Sequence, residues 1–181
     1  MALRNILTDD DPGLHKHSRE VTDFGRRLHI LLDDMRETLI AADGLGLAAT
    51  QVGVLRRVAL IVDTGIDTEL LEDKIIELIN PIIISEEGEE TACEGCLSVP
   101  GVHAMVSRPQ SVTFKAYDRY GDEFEYEASG LTARAVCHET DHLDGIVFTS
   151  IAERILTDEE VEEMRAERDK QDAQGKEIEE Q

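Results

Sequence analysis

Residues 138–142 are His-Glu-Thr-Asp-His, the stretch that decides how the rest of the chain is interpreted. Side chains four positions apart lie on one face of an α-helix, so His138 and His142 can bind a single metal ion. Glu139 lies beside the first histidine, where its carboxylate can act as a general base on water that the metal activates. The spacing therefore predicts two ligands and a base on one helix, a pattern typical of metal-assisted hydrolysis.

The residues around this motif indicate a helix whose histidine face is buried. Leu131 and Ala135 continue the stripe of the two histidines, Ser129-Gly130 offers a start and Asp144-Gly145 an end. A buried imidazole without a partner costs free energy, so this context favours a metal site over a pair of surface histidines.

A catalytic zinc or iron site that keeps one position open needs a third protein ligand. Cys96, in the segment Glu94–Ser98, is the best candidate, because Gly95 allows a close approach and a thiolate is a soft ligand. Two alternatives remain open. Cys93 and Cys96 could complete a closed, structural Cys2His2 zinc site with the two histidines. The same two cysteines could form a redox CxxC, although no βαβ pattern surrounds them.

Three motifs in this order resemble those of the peptide deformylases, the metallohydrolases that remove the formyl group from the N-terminal methionine of nascent bacterial proteins. They are Gly44-Leu45-Gly46-Leu47-Ala48-Ala49-Thr50-Gln51, the segment Glu94-Gly95-Cys96-Leu97-Ser98, and the histidine motif at 138–142. The resemblance covers residues 1 to about 155. It implies that the chain acts on N-formyl-methionyl nascent peptides and works transiently near the ribosome.

The resemblance also implies a set of metal ligands. Cys96, His138 and His142 would hold one divalent metal ion, and Glu139 would be the catalytic acid and base. The ion expected from the family is Fe²⁺, which Ni²⁺ or Zn²⁺ can replace. Cys93 is then not a ligand and lies in a strand before the motif.

The remaining site residues implied by the resemblance stabilise charge or hold the peptide. The side chain of Gln51 and the backbone N–H of Leu97 would donate hydrogen bonds to the oxyanion that forms during hydrolysis. The backbone near Leu45, Gly46 and Gly95 would pair with the substrate peptide.

Three positions depart from the family pattern. Cys137 stands where glutamine is frequent, and His103 stands where arginine is common. Arg134 occupies a position that is usually apolar and lines the methionine pocket. Its guanidinium either turns outward to an acidic neighbour or water, or faces the pocket and selects another substrate. The alternative function is therefore a metal-dependent amidase of the same fold with a different acyl-peptide preference.

Composition agrees with a small cytoplasmic enzyme, which we expect to be a monomer. The chain has 181 residues, and its three cysteines, an odd number, argue against a disulfide framework. The formal net charge of −22 argues against nucleic-acid partners and against anionic membranes. No apolar stretch is long enough to span a bilayer, and no signal-peptide pattern follows Met1.

The hydrophobic pattern predicts an α+β fold, with antiparallel β-sheets around a central helix that carries the histidine motif. An amphipathic N-terminal helix is expected over residues 24–41, capped by Thr22 or Asp23, with Gly44 after its end. A turn is expected at Tyr120-Gly121-Asp122. Strands are expected at Val58–Val62, Ile75–Ile79, Ile82–Ser85, Met105–Arg108, Val112–Tyr117 and Phe124–Ala128.

The end of the chain differs from the catalytic domain, which we expect to cover residues 1–156. The segment 157–181 is expected to be an acidic C-terminal helix and a frayed tail. Thr157-Asp158-Glu159-Glu160 is a capping box, which predicts a helix from Asp158 to about Lys170. The tail is polar beyond Gln171. Because glutamates dominate the helix, a solvated surface is expected and a basic ribosome contact is not.

Overall fold

Two antiparallel sheets flank the helix that carries the histidine motif. A computed structural model describes residues 2–179, except for the side chains of 168, 169 and 171–179. The helices are α1 (Arg26–Ala42), α2 (Leu71–Lys74), α3 (Gly130–Leu143) and α4 (Asp158–Glu179). The strands are β1 (Gly46–Ala48), β2 (Val58–Val62), β3 (Ile75–Glu87), β4 (Glu90–Cys96), β5 (Val99–Arg108), β6 (Ser111–Tyr117), β7 (Glu123–Ser129) and β8 (Arg154–Ile155).

The order of the strands confirms the predicted α+β architecture. Five strands form one sheet in the order β1-β2-β3-β6-β7, and β4-β5-β8 form the second. Every neighbouring pair of these strands is antiparallel. Within the described residues, no helix combines the length and the hydropathy that crossing a bilayer requires.

Small side chains bring α3 close to the large sheet. Ala133 and Val136 are fully buried, and they belong to the same apolar cluster as Phe114 of β6 and Ile61 of β2. The helix begins after Ser129 and ends before Asp144, at the positions that the sequence predicted. Its buried face holds both histidines of the motif, so the helix presents them from a rigid, packed element.

The N-terminal helix is confirmed, but its predicted cap is wrong. The predicted range of 24–41 becomes Arg26–Ala42 in the structure, and the N-cap is Gly25 without a side-chain cap. The carboxylate of Asp23 accepts the backbone N–H of Gly25, 2.9 Å away, which forms a turn before the helix. At the other end, Gly44 donates its N–H to the carbonyl of Leu39.

The two strands predicted at 75–79 and 82–85 are one strand, β3. Pairing shifts register across Asn80-Pro81, where β3 leaves β2 and continues along β6. Asn80 has a positive φ of 52°. Its side chain accepts the N–H of Val21 at 2.8 Å and donates to the carbonyl of Val21 at 2.9 Å. These bonds hold the irregular residue, so the strand continues through a proline that cannot donate to the ladder.

A hairpin that the sequence showed only in part carries the cysteine motif. Only 105–108 of β5 was predicted, whereas β4 and β5 pair from Glu90 and Arg108 to Cys96 and Val99. Leu97 and Ser98 form the turn between them. The predicted turn around Gly121 lies between β6 and β7, as expected. Cys96 therefore lies at the tip of a hairpin, next to α3.

The start of α4 is fixed to the second sheet. β8 pairs with Ala104 and Met105 of β5, and the side chain of Val161 is buried. The predicted capping box is present, because Glu160 accepts the N–H of Thr157 at 2.8 Å and donates its own N–H to the Thr157 hydroxyl at 3.3 Å. The helix continues to Glu179. This is past the predicted end at Lys170, while the expected fraying beyond Gln171 stays a prediction. Fraying at 180 and 181 lies outside the described residues.

Candidate active site

Cys96, His138 and His142 come together although they lie on two separate elements. Their candidate ligand atoms all lie within 4.8 Å of one another, and within the described residues no other group of three or more His, Cys, Asp or Glu side chains does so. The Sγ of Cys96 is 3.2 Å from Nε2 of His142. Cys93 is outside this group, which does not support a closed Cys2His2 site.

A buried carboxylate orients the first histidine. Nδ1 of His138 donates to Oε2 of Glu94 at 3.0 Å, which leaves the other ring nitrogen to face Cys96 and His142. Arg108 donates to both carboxylate oxygens of Glu94, at 2.9 and 3.1 Å. Burial alone would raise the pKa of Glu94, but the hydrogen bonds from His138 and Arg108 lower it to about 2. Glu94 therefore stays ionised and fixes the ring of His138.

Arg134 completes this network. Its guanidinium donates to Glu94 at 2.8 Å, to the carbonyl of Val106 at 2.9 Å and to the carbonyl of Glu90 at 2.8 Å. An acidic neighbour holds the head group, which was one of the two predicted orientations. The expected outward direction is wrong, because Arg134 is buried. Because the guanidinium is paired inside the protein, Arg134 brings no unpaired charge to the cavity that it lines.

The three ligand groups suit a cation. Burial opposes a charge on His138, but hydrogen bonds with Cys96 and Glu94 raise its pKa to about 10. Burial lowers the pKa of His142 to about 3, so its ring is neutral and can donate a lone pair. One thiol and two imidazoles also form a donor set that divalent transition metals prefer.

Glu139 points from α3 toward the backbone of β1. It is buried, and burial raises its pKa to about 7. Among the described residues its Oε2 has no hydrogen-bond partner. A buried carboxylate oxygen without a donor is costly, so this oxygen suits a water molecule or a polar substrate atom. Gly46 makes room for the carboxylate, because a Cβ atom there would lie 2.6 Å from Cγ of Glu139.

Gln51 turns its amide nitrogen toward the cysteine. Its Oε1 accepts the N–H of Ala48 at 2.8 Å, which identifies the other end of the amide as the donor. Nε2 donates to the Ser98 hydroxyl at 3.2 Å and lies 3.5 Å from Sγ of Cys96. The side chain of Gln51 is buried, so this orientation is fixed by the 3₁₀ turn that carries it.

Gln51, Cys96, His138 and Glu139 line one cavity of about 480 Å³, whereas His142 does not line it. Leu131 and Ala135 contribute apolar surface from α3, and Leu97 contributes it from the hairpin turn. The cavity also includes residues that the motifs did not assign, such as Asp43 and Arg165. The site residues predicted from sequence that line it are Leu45, Gly46, Gln51, Gly95, Cys96, Leu97, His138 and Glu139.

Comparison with known families identifies this arrangement. Residues 3–157 match the family model described as Polypeptide deformylase. The chain belongs to the peptide deformylase family. Family membership makes it an enzyme of the metal-dependent hydrolase class, and it does not support the alternative amidase function.

Individual relatives agree with the family match. A peptide deformylase from Caldicellulosiruptor bescii is 52% identical over 172 residues, which cover 95% of this chain and 99% of the relative. A second, from Acetivibrio thermocellus, is 47% identical over 165 residues, covering 91% and 92% of the two chains.

Solved structures of the peptide deformylase family share the fold. The crystal structure of the Legionella pneumophila protein has a TM-score of 0.77 at 38% identity, covering 96% of this chain and 98% of the other. The Synechococcus elongatus protein, solved in complex with actinonin, has a TM-score of 0.75 at 34% identity, covering 88% and 82%.

Proposed function

We propose that this chain is a metal-dependent hydrolase that removes the formyl group from the N-terminal formyl-methionine of nascent polypeptides. One observation carries the proposal. The ligand atoms of Cys96, His138 and His142 converge beside a buried carboxylate, Glu139. Cys96, His138 and Glu139 line a cavity large enough for the end of a peptide.

Cys96, His138 and His142 would hold the metal ion. The ion would supply a Lewis acid that lowers the pKa of water from about 15.7 to near 7. We propose Fe²⁺ as the native ion, with Ni²⁺ or Zn²⁺ able to replace it, because a thiolate with two imidazoles suits all three. A thiolate next to redox-active iron is also open to oxidation. Protein loaded anaerobically with Fe²⁺ should therefore lose activity in air, whereas nickel-loaded protein should keep it.

Glu139 would move the proton. Its buried position next to the ligands allows it to accept a proton from water and to return it to the leaving amine. The absence of a protein hydrogen-bond donor at Oε2, among the described residues, leaves that oxygen available for the transfer. Gly46 gives the carboxylate the space to do so.

Gln51 and the backbone N–H of Leu97 would stabilise the oxyanion. The amide nitrogen of Gln51 lies within hydrogen-bond distance of Ser98 and close to the Cys96 sulfur. Leu97 follows Cys96 in the hairpin turn, so its N–H lies near the same region. Each donor that is aimed at a developing oxyanion contributes about 3 kcal/mol to transition-state stabilisation.

The substrate would bind between two stretches of backbone. Leu45 and Gly46 border one side of the cavity and Gly95 another, and all three can pair with an extended peptide. The methionine side chain would lie against the apolar surface of Leu131 and Ala135 and the stem of Arg134. The paired guanidinium of Arg134 places no free charge in that pocket.

We further propose that the enzyme acts as a monomer in the cytoplasm, close to the ribosome that supplies its substrate. Formate release from formyl-Met-Ala-Ser, measured with iron-loaded protein, tests the main proposal. Acetyl-Met-Ala-Ser is the matched control, because its larger acyl group needs the same bond cleavage. Turnover of the formyl peptide and at least hundredfold slower turnover of the acetyl peptide are expected. Equal rates, or no formate at all, would contradict the proposal.

A further inference from the structure

The active-site cavity has one wall that belongs to the C-terminal helix. Arg165 of α4 lines the same cavity as Cys96, His138 and Glu139. The first turns of α4 are otherwise rich in glutamate, with Glu159, Glu160, Glu162 and Glu163 before it. Arg165 therefore brings a positive charge to the cavity from a helix whose first turns are mostly negatively charged.

The position of Arg165 is set by contacts of residues that precede it in the chain and by its own contact with His103. Leu156 donates its N–H to the carbonyl of His103 at 2.9 Å, and Val161 is buried against the body of the protein. Nη2 of Arg165 lies 3.4 Å from Nε2 of His103. The start of the helix is thus fixed beside β5, and the guanidinium stands next to the imidazole.

His103 connects Arg165 to the backbone that would hold the peptide. It is paired with Gly95 across the hairpin, and a Cβ atom on Gly95 would lie 3.2 Å from its Cδ2. The imidazole ring of His103 therefore lies over the side of Gly95 where another residue would carry its side chain. A peptide that pairs with Gly95 passes His103 as it leaves the metal ligands.

A second cavity adjoins the active-site cavity beside Gly95 and His103. It has a volume of about 410 Å³ and lies between the β4–β5 hairpin and α4. It shares Cys93, Gly95, His103 and Arg165 with the active-site cavity and adds Val161 and Met164. The two cavities form one groove, with Arg165 where they meet.

We propose that Arg165, positioned by its contact with His103, forms a cationic subsite for a carboxylate of the substrate, on an acidic side chain downstream of the formyl-methionine. This inference rests on the proposed function, because it needs the peptide to run along Gly95. A guanidinium binds a carboxylate through two parallel N–H donors, which a neutral side chain cannot match. The positive charge also reaches the cavity wall, since it opposes the rise in the pKa of Cys93 that burial causes. Arg165 is then a specificity-determining residue outside the three motifs.

Two peptides that differ only in one charge test the subsite. They are formyl-Met-Ala-Ala-Asp-amide and formyl-Met-Ala-Ala-Asn-amide, assayed with the full-length, metal-loaded protein. Because exposed ion pairs are weak, the aspartate peptide should have a kcat/KM about threefold higher than the asparagine peptide. The difference should lie in KM, since the contact is made equally in the ground state and the transition state. It should shrink at 1 M salt, where the Debye length is about 3 Å.

Three variants separate the subsite from a general charge effect. Arg165→Gln should make the kcat/KM values of the two peptides equal, and Arg165→Lys should keep part of the preference. Lys170→Gln removes the same charge from the same helix and should keep the full preference. Calorimetric titration with the deformylated products should show the same order of affinities without turnover.

The outcomes distinguish this inference from the proposed function. No preference for aspartate in the wild type, or an equal preference in Arg165→Gln, would overturn the subsite while leaving deformylation intact. A KM increase in Arg165→Gln that is the same for both peptides would also overturn it, because Arg165 would then contact the peptide backbone. If neither peptide releases formate, the proposed function fails and the subsite fails with it.

Discussion

Gly46 and Glu139 are in contact across the active site, and the contact leaves no room for a side chain on the glycine. A Cβ atom at position 46 would lie 2.6 Å from Cγ and 2.7 Å from Cδ of Glu139. Its φ is not positive, so alanine is compatible with the backbone itself. The glycine is therefore required by the carboxylate and not by the strand.

Gly46→Ala should displace Glu139 and lower kcat by at least about a hundredfold, because positioned proton transfer contributes 10²–10⁴-fold. The metal content should stay at the wild-type level, since the added methyl group meets Glu139 and none of the proposed metal ligands. Gly65→Ala is the matched control, because the added Cβ meets only the Asp63 side chain, at 3.2 Å. A fully active Gly46→Ala protein would show that catalysis does not require Glu139 at its observed position.

Glu139→Ala and Cys96→Ser should separate proton transfer from metal binding. We expect Glu139→Ala to retain the metal and lose activity by about 10²–10⁴-fold. Cys96→Ser should lose the metal itself, because it removes the only thiolate of the group. Metal content by elemental analysis, measured beside kcat, gives the comparison. Equal metal loss in both variants would show that the two roles are not divided in this way.

Gln51→Leu should lower kcat by about 10²–10³-fold, because it removes the proposed oxyanion donor. The metal content should not change, since Gln51 only approaches the sulfur through its amide nitrogen. Ser98→Ala tests the alternative that Gln51 acts through the Ser98 hydroxyl it contacts. An unchanged kcat in Gln51→Leu would reduce this residue to a structural support for the turn at Ala48.

Arg134→Met should weaken the fold more than the catalysis. The substitution removes one of two arginines that hold Glu94 and leaves the carbonyls of Val106 and Glu90 without this donor. Breaking a buried ion pair costs about 3 kcal/mol of unfolding free energy. Because Arg108 still holds Glu94, kcat/KM on formyl-Met peptides should change by less than about tenfold. Arg154→Met, in an exposed pair with Glu160, should cost under about 1 kcal/mol in the same urea titration.

Local sequence patterns predicted the helix Gly130–Leu143 well. Its apolar periodicity matches the buried face, and the residues expected at its two ends are the ones that flank it. They predicted the ligand set through the spacing of two histidines and through family resemblance, and the structure brings the three side chains together. Glu94 had no assigned role. Nothing in the sequence spacing shows that it contacts His138, because that contact depends on how the hairpin packs on the helix.

The remaining differences arise from long-range packing. A proline normally ends a strand, but β3 continues through Pro81 because Asn80 is held by Val21, which is 59 residues away. The described side chains of the acidic helix are mostly exposed, as its polar composition predicted, but Val161 in its first turn is buried. Its docking depends on Val161 and on the backbone of His103, and a single apolar residue gives a weak pattern.

Cys96 and His142 are separated by 46 residues and by three strands, yet they meet within 3.2 Å. Because a preformed site is absent from the unfolded chain, an ion held by these residues as proposed would bind the folded state and add its binding free energy to folding. An ion at a hundred times its dissociation constant stabilises a protein by about 2.7 kcal/mol. In a cell that is short of the ion, the enzyme would therefore lose stability as well as activity. Its metal-free molecules would unfold more often, and proteases would degrade them sooner.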